Sequence, residues 1–157
     1  MRPMKLENSF DVAAPAPVAW RFLVDPERVI PCMPGAELTG VVDERTWDVS
    51  AGVKLGPVSL GYKGRVSIEE RDDEAMRIVL VGKGTESKGK GTAGATIVLE
   101  VSGDDRTTHA DITTDLKISG MAASLGRGMI AGVAGKLTRQ FAENMERQLA
   151  EEEPSAG

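Results

Sequence analysis

The feature that most constrains the fold is a hydrophobic alternation of period two that runs from Trp47 to Ile118. Because side chains of a strand point alternately to the two faces of a sheet, this pattern predicts an antiparallel sheet with one covered and one solvated face. The apolar positions are Trp47, Val49, Ala51, Val53, Val58, Leu60, Tyr62, Val66, Ile68, Met76, Ile78, Leu80, Ala95, Ile97, Leu99, Val101, Ala110, Ile112, Leu116 and Ile118.

Three short stretches interrupt the alternation: LGP at 55–57, RDDE at 71–74 and SGDDR at 102–106, all of which are predicted turns. After Ile118 the period changes, and apolar residues recur every four positions, which is typical of a helix with one buried stripe. The stripe is Leu125, Met129, Val133, Leu137, Phe141, Met145 and Leu149. We therefore predict a long helix from about Met121 to about Glu152, followed by a flexible acidic tail at 153–157.

The start of the chain predicts a strand in KLENSFDV, with Leu6, Ser9 or Phe10, and Val12 as candidates for its inner face. Pro15 and Pro17 suit the opening of a helix, where a missing N–H costs nothing. A second short helix is predicted at 27–30. Only the terminal helix is long enough to cover the sheet, so the fold is α+β, with a curved sheet of about seven strands around that helix. Such a pair touches well at its ends and poorly in the middle, which favours an apolar pocket there.

Composition limits the class of protein. The 157 residues fit a single domain, predicted at 1–152, and the net charge of −5 gives no reason to expect a nucleic-acid partner. Cys32 is the only cysteine, so no intramolecular disulfide forms and a reducing compartment is expected. The chain shows neither a signal peptide nor an apolar run long enough for a bilayer, which predicts a cytoplasmic protein.

The stretch GTESKGKG at 84–91 nearly matches a phosphate-binding loop, but Gly91 stands where that loop needs a hydroxyl. Strand-like sequence flanks it on both sides, whereas a phosphate loop must lead into a helix. We therefore predict a β-hairpin there. Glycines 120, 126, 128, 132 and 135 fall in the first half of the predicted long helix, where each costs roughly 1 kcal/mol relative to alanine. Close packing against the sheet and room for a ligand are both open explanations.

Few residues suggest catalysis or metal binding. His109, the only histidine, has no partners at ligand spacing and is interpreted as a solvated residue where a strand starts. Cys32 lies between two prolines and is interpreted as a small buried thiol, with a place at the pocket mouth as the alternative. Tyr62, the only tyrosine, is on the apolar face, and Thr114 on the same face is a candidate hydrogen-bond partner. No catalytic residue, metal site or cofactor is predicted.

The chain resembles the family of the carbon monoxide dehydrogenase G subunit, within the START-like, birch-allergen-like helix-grip proteins. The stretches that carry the resemblance are FDVAAPAPVAWRFLVDPERVIPCMPG at 10–35, VKLGPVSLGYKGRV at 53–66, GKGTESKGKGTAGATI at 82–97 and DLKISGMAASLGRGMI at 115–130. The resemblance implies a helix-grip fold with a cavity for hydrophobic molecules. It also implies a non-catalytic accessory protein that helps a molybdenum-containing hydroxylase of the carbon monoxide dehydrogenase type to assemble or to associate with the membrane.

The hypothesis from these observations is that a lipid or quinone-like ligand lies between helix and sheet, with weak peripheral contact to the inner face of the cell membrane. Two alternatives stay open: a small cyclase- or hydrolase-type enzyme of the same fold, and an assembly chaperone without a ligand. The residues predicted to enclose the ligand are Trp47, Tyr62, Leu80, Ile97 and Thr114 from the sheet, with Leu125, Met129, Val133 and Leu137 from the helix.

Overall fold

The computed structural model describes residues 4–152, so the predicted tail at 153–157 lies outside the described residues. One antiparallel sheet has the strand order β1-β7-β6-β5-β4-β3-β2. Its strands are β1 (Met4–Val12), β2 (Ala36–Asp43), β3 (Thr46–Leu55), β4 (Val58–Asp72), β5 (Arg77–Glu86), β6 (Thr92–Gly103) and β7 (Thr108–Ile118). The predicted α+β architecture is confirmed, and the predicted turns fall between β3 and β4, between β4 and β5, and between β6 and β7.

Two short helices join β1 to β2, as predicted: α1 (Ala16–Leu23) and α2 (Pro26–Val29), followed by a 3₁₀ turn (Ile30–Cys32). Pro15 stands at the N-cap of α1, and Asp25 caps α2 by accepting a hydrogen bond from the Glu27 backbone N–H at 3.1 Å. On β1 the inward residues are Leu6, Asn8, Phe10 and Val12, whereas Ser9 is exposed. Ser9 as a candidate for the inner face is therefore wrong, because strict alternation puts Asn8 there instead.

The terminal helix α3 spans Arg127–Glu152 and begins later than predicted. A 3₁₀ turn at Ala122–Leu125 and Gly126, with φ of 89°, separate it from β7. Leu125 therefore lies before the helix. The buried face of α3 also departs from the predicted stripe, because residues spaced four apart are offset by about 40° around a helix of 3.6 residues per turn. Ile130 is buried where the stripe predicted Met129, and Met129 is 39% exposed.

The core has two parts. The first, here called the α1-side cluster, packs α1 and the C-terminal half of α3 against one end of the sheet, with Phe10 and Phe141 in edge-to-face contact at 5.8 Å. The second, here called the rim-side cluster, lies at the other end and consists of the buried residues Leu6, Leu55, Leu60, Ile118, Ala122 and Ile130. Helix α3 lies against β1 and approaches β3, while the central strands β4 to β7 stay farther from it. The helix and sheet are thus joined at both ends.

Candidate ligand-binding gap

Between the two clusters lies a band of inward-facing residues that are only partly buried, here called the central gap. Its apolar side chains belong to neither cluster: Val49, Ala51, Val66, Ala95, Ile97 and Leu137. Thr114 shares this band and is also partly buried. Because the inner face of a filled core is inaccessible to solvent, partial exposure at the centre indicates space between helix and sheet. The walls of that space are almost entirely apolar.

Small residues of the sheet create this space. One inward row runs Val66, Gly82, Ala95 and Leu116 across β4 to β7, and the next runs Gly64, Gly84 and Ala93 across β4 to β6. These glycines and alanines continue the inward parity of Ile78 and Leu80 on β5 and of Ile97 and Leu99 on β6. A continuous patch of small residues therefore lies on the inner face, at Gly64, Gly82, Gly84, Ala93 and Ala95. The alternation in the sequence contains this signal, whereas the sequence analysis considered only the helix glycines, with room for a ligand and close packing both left open.

The helix glycines do not supply that room. Gly120 and Gly126 lie outside α3 with φ of 78° and 89°, so the prediction that all five are helical is wrong. A Cβ added at Gly128 or Gly132 would meet no atom within 4 Å, and both are exposed. Close packing against the sheet therefore does not explain them either. A Cβ at Gly135 would lie 3.6 Å from an Arg139 nitrogen, an ordinary contact.

Three of the predicted ligand residues belong to the central gap: Ile97 and Thr114 lie opposite each other on β6 and β7, and Leu137 is partly buried on α3. Four more are partly buried at its borders: Leu80 packs against the α1-side cluster, and Tyr62, Leu125 and Val133 pack against the rim-side cluster. Trp47 faces inward as predicted but is buried within the α1-side cluster. Met129 lies outside the gap, with its side chain over Gly56 in the β3–β4 turn.

Met129 and this turn mark the rim of the gap, at the end where α3 begins. Met121 and Met129 are each 39% exposed. The rim is hydrogen-bonded to the β5–β6 loop: the Met121 backbone N–H donates to the Lys90 carbonyl oxygen at 3.0 Å. Arg127, the first residue of α3, is exposed at this end, and residues 116–142 contain no acidic residue. The rim therefore combines exposed apolar and basic groups.

Tyr62 and Glu86 form a directly opposed cross-strand pair on β4 and β5 at one border of the gap. Burial raises the pKa of the Tyr62 phenol, and the nearby Glu86 carboxylate raises it further. The hydroxyl therefore stays protonated and can donate a hydrogen bond. It does not reach the predicted partner Thr114, because Thr114 lies on β7 with two strands between, level with Ile68 on β4.

Glu86 is the only buried carboxylate among residues 4–152, and the sequence analysis did not predict it. The residue is 4% exposed, and its carboxylate accepts hydrogen bonds from the backbone N–H groups of Lys88 at 2.8 Å, Lys90 at 3.2 Å and Gly61 at 3.3 Å. Burial by itself would raise the pKa of Glu86, but these donors outweigh it and hold the pKa below the ordinary 4.5. The carboxylate is thus a fixed internal anion that organises the β5–β6 loop.

The same loop is the stretch that resembles a phosphate-binding motif, and the predicted hairpin is confirmed. Two of its backbone N–H groups already bind the Glu86 carboxylate. Its last glycine, Gly91, has φ of 135°, and a Cβ there would lie 2.1 Å from the Ser119 carbonyl oxygen. A Cβ at Gly120 would lie 1.9 Å from the Lys90 carbonyl oxygen. These glycines therefore allow two backbone segments to touch at the rim.

The remaining candidates lie away from the gap. His109 is on the outer face, hydrogen-bonded to Asp11 at 2.8 Å and Asp111 at 3.0 Å. Asp11 and then Asp111 raise the pKa of the imidazole above its ordinary 6.5. Cys32 is buried in the α1-side cluster, so the alternative place at the pocket mouth is wrong. Burial raises the pKa of the Cys32 thiol and outweighs the opposing effect of Arg147 and Arg28.

Comparisons with known proteins agree with this fold. The model of the family described as the G subunit of carbon monoxide dehydrogenase (CoxG) matches residues 9–150. A conserved protein from Geobacillus kaustophilus superposes with a TM-score of 0.83 at 19% identity, covering 94% of this chain and 96% of that one.

Two enzymes share the fold at lower similarity. The ZhuI aromatase/cyclase from Streptomyces sp. R1128 gives a TM-score of 0.65 at 16% identity, with 99% of both chains covered. A truncated norcoclaurine synthase from Thalictrum flavum gives 0.59 at 13% identity, with 94% of both chains covered. At these identities the similarity shows the fold alone. The search of curated proteins found no match.

Proposed function

This chain belongs to the CoxG family, that of the carbon monoxide dehydrogenase G subunit, and on that premise we propose that it is a non-catalytic accessory protein that binds a long apolar ligand in the central gap. The observation that carries the proposal is the partly buried apolar band between two packed ends. Apolar walls such as Val66, Ile97 and Leu137 gain free energy when an alkyl or isoprenoid chain displaces water. A lipid or a quinone fits this chemistry.

The polar groups of the gap suit a ligand with a polar head and an apolar tail. Tyr62 keeps its proton, so its hydroxyl can donate to a carbonyl or ester oxygen of the head group. Tyr62 packs against the rim-side cluster, at the end of the gap where Met129 lies over the β3–β4 turn. In the proposal, the head group lies towards the rim and the tail extends past Thr114 towards the α1-side cluster.

The alternative is a small enzyme of cyclase or hydrolase type, and two proteins with this fold carry enzyme names. Acid–base catalysis needs a titratable group that reaches the substrate with a pKa near the working pH. Glu86 does not meet this requirement, because three backbone N–H groups bind its carboxylate and its pKa is lowered. This supports binding without catalysis.

The proposed partner is a molybdenum-containing hydroxylase of the carbon monoxide dehydrogenase type, as the description of the family suggests. The proposed service is assembly, membrane association or electron transfer. Within residues 4–152 no helix has the length and apolar character to cross a bilayer. Peripheral contact is supported by the rim, where Met121, Met129 and Arg127 offer apolar and basic groups to an anionic surface.

The test is to purify the protein under native conditions, extract it into organic solvent and identify co-purified molecules by mass spectrometry. We expect about one lipid or quinone-like molecule per chain, and less from Ala95→Phe, in which a ring fills the gap. Recovery of no apolar molecule, with unchanged binding of Ala95→Phe to the hydroxylase, would instead favour an assembly chaperone without a ligand. Turnover of an extracted compound by the pure protein would favour the enzyme.

A further inference from the structure

A second concave surface lies on the outer face of the sheet, opposite α3. This groove has a volume of about 1010 Å³ and is lined by residues from β2 to β7, with none from α3. Its outward side chains include Lys63, Lys83 and Lys117. Crossing six strands at about 4.8 Å per spacing makes the groove about 24 Å long, which accommodates roughly seven residues of extended chain. The sheet itself separates this groove from the central gap.

A row of charges crosses the groove. The register places Asp48, Arg65, Lys83, Gly94 and Lys117 side by side on β3 to β7. Arg65 Nε donates to Asp48 Oδ1 at 2.8 Å, which neutralises that pair. Lys83 lies directly opposite Arg65, and like charges in that position destabilise a sheet. The row therefore contains a charge arrangement that folding alone does not favour.

Three lysines in the groove, Lys63, Lys83 and Lys117, form no ion pair with any residue in the range 4–152. They lie over β4 to β7, whereas the β2–β3 end carries Glu37 and the paired Asp48. Positive charge is thus confined to one half of the groove. A ligand that complements it must be acidic at one half of its length only.

Gly94 leaves an open slot between two of these lysines. Lys83 and Lys117 flank it at two strand spacings, about 10 Å. A Cβ at Gly94 would meet only the Gly82 carbonyl oxygen, at 3.9 Å, so the backbone does not require glycine there. The adjoining row presents Ser50, Lys63, Thr85 and Thr92. The hydroxyls of Ser50 and Thr85 can bind polar atoms of a ligand, whereas the Thr92 hydroxyl is hydrogen-bonded to that of Ser119 at 2.9 Å. Glycine at 94 therefore keeps the surface open.

We propose that this groove docks an extended segment of a partner protein, with two or more carboxylates over Lys63, Lys83 and Lys117. A nucleic acid carries uniform negative charge and would meet Glu37 at the other end. It would also find no aromatic side chain in the groove on which to stack its bases. A peptide that is acidic at one end matches both halves. The proposal does not depend on what the central gap binds.

The test is fluorescence anisotropy with a labelled peptide of four glutamates followed by three serines. The groove variant carries Lys63→Glu, Lys83→Glu and Lys117→Glu. The matched control carries Arg21→Glu, Arg106→Glu and Lys136→Glu, which are exposed and outside the groove, so net charge is equal. Because exposed ion pairs each change affinity by up to about fivefold, we expect roughly tenfold weaker binding for the groove variant and less than threefold for the control.

A second pair of variants tests shape without changing charge. Gly94→Val fills the slot, and Thr96→Val makes a matched change at the next outward position of β6. Both should fold at least as well as the native chain, because valine is favoured in strands. Peptide binding should weaken in Gly94→Val only. Equal losses in the groove and control variants, unaltered binding in Gly94→Val, no saturable binding, or tighter binding of a single-stranded oligonucleotide would each overturn the proposal.

Discussion

Placing the same large side chain at two inward alanines of the sheet distinguishes an open gap from a packed core. Ala95 lies in the central gap, between Gly82 and Leu116 in its row. Ala110 is 0% exposed within the α1-side cluster. We compare Ala95→Phe with Ala110→Phe, so that strand environment and added volume are matched and only the local packing differs.

The expected changes in the free energy of unfolding follow from the packing around each alanine. A Cβ at Gly82, the neighbour of Ala95, would make only ordinary contacts, 3.8 Å to Val66 Cγ2 and 4.0 Å to the Arg65 carbonyl oxygen, so the backbone beside Ala95 is not crowded. Burying the added phenyl ring contributes about 1–2 kcal/mol, offset in part by lost rotamer freedom, so the free energy of unfolding should change by less than about 1 kcal/mol. Overpacking at Ala110 should cost about 1–3 kcal/mol.

The assay is thermal unfolding followed by circular dichroism, together with fluorescence of the hydrophobic dye anilinonaphthalene sulfonate. For a domain of this size 1 kcal/mol shifts the melting temperature by about 2–4 °C. Ala110→Phe should therefore melt roughly 2–12 °C lower than the native chain, and Ala95→Phe within about 4 °C of it. Dye uptake should fall in Ala95→Phe. An Ala95→Phe variant that is as unstable as Ala110→Phe and takes up dye normally would refute the gap.

Three further results are expected. The native chain should have a larger free energy of unfolding than Glu86→Gln, and this difference should be full above pH 4.5 and shrink as the pH falls through the lowered pKa of Glu86. If urea unfolding shows that both chains lose stability equally in acid, the prediction is wrong. The difference in free energy of unfolding between the native chain and His109→Gln should have the opposite pH dependence: it is full below pH 6.5 and is lost as the pH rises through the raised pKa of His109. A difference that does not change with pH would contradict this. Hydrogen exchange should be faster at 120–135 than at 136–150 and should slow when the extracted ligand is added back, whereas uniform protection would exclude opening at the rim.

Much of the fold follows from the sequence because burial repeats with the periods of its elements. The alternation from Trp47 to Ile118 predicts β3 to β7, whose two faces differ in solvation. It does not give the bounds of β2, because register shifts between Leu38 and Gly40 and between Val41 and Asp43 break the period. The predicted start of α3 is too early, because a 3₁₀ turn can carry an apolar pattern as a helix does.

The site is less predictable, because a gap is defined by side chains that are small or absent. Large residues mark where a core is filled, so the prediction includes Trp47, which is buried in a packed cluster. The informative positions are Gly82 and Ala95, inward residues of the same parity. Glu86 escapes prediction for another reason: its partners are backbone N–H groups of a loop, which leave no residue pattern in the sequence.

The division of the core into two clusters separates the part of the chain that stabilises the fold from the part that would contact the proposed ligand. Side chains such as Phe141 and Ile130 hold the two ends, whereas Val66 and Ile97 contribute to neither cluster. Substitutions in the central band can therefore accumulate at little cost to folding. A lineage with this architecture can explore new ligand sizes and shapes by neutral drift, and a protein engineer can do the same with a library confined to the central band.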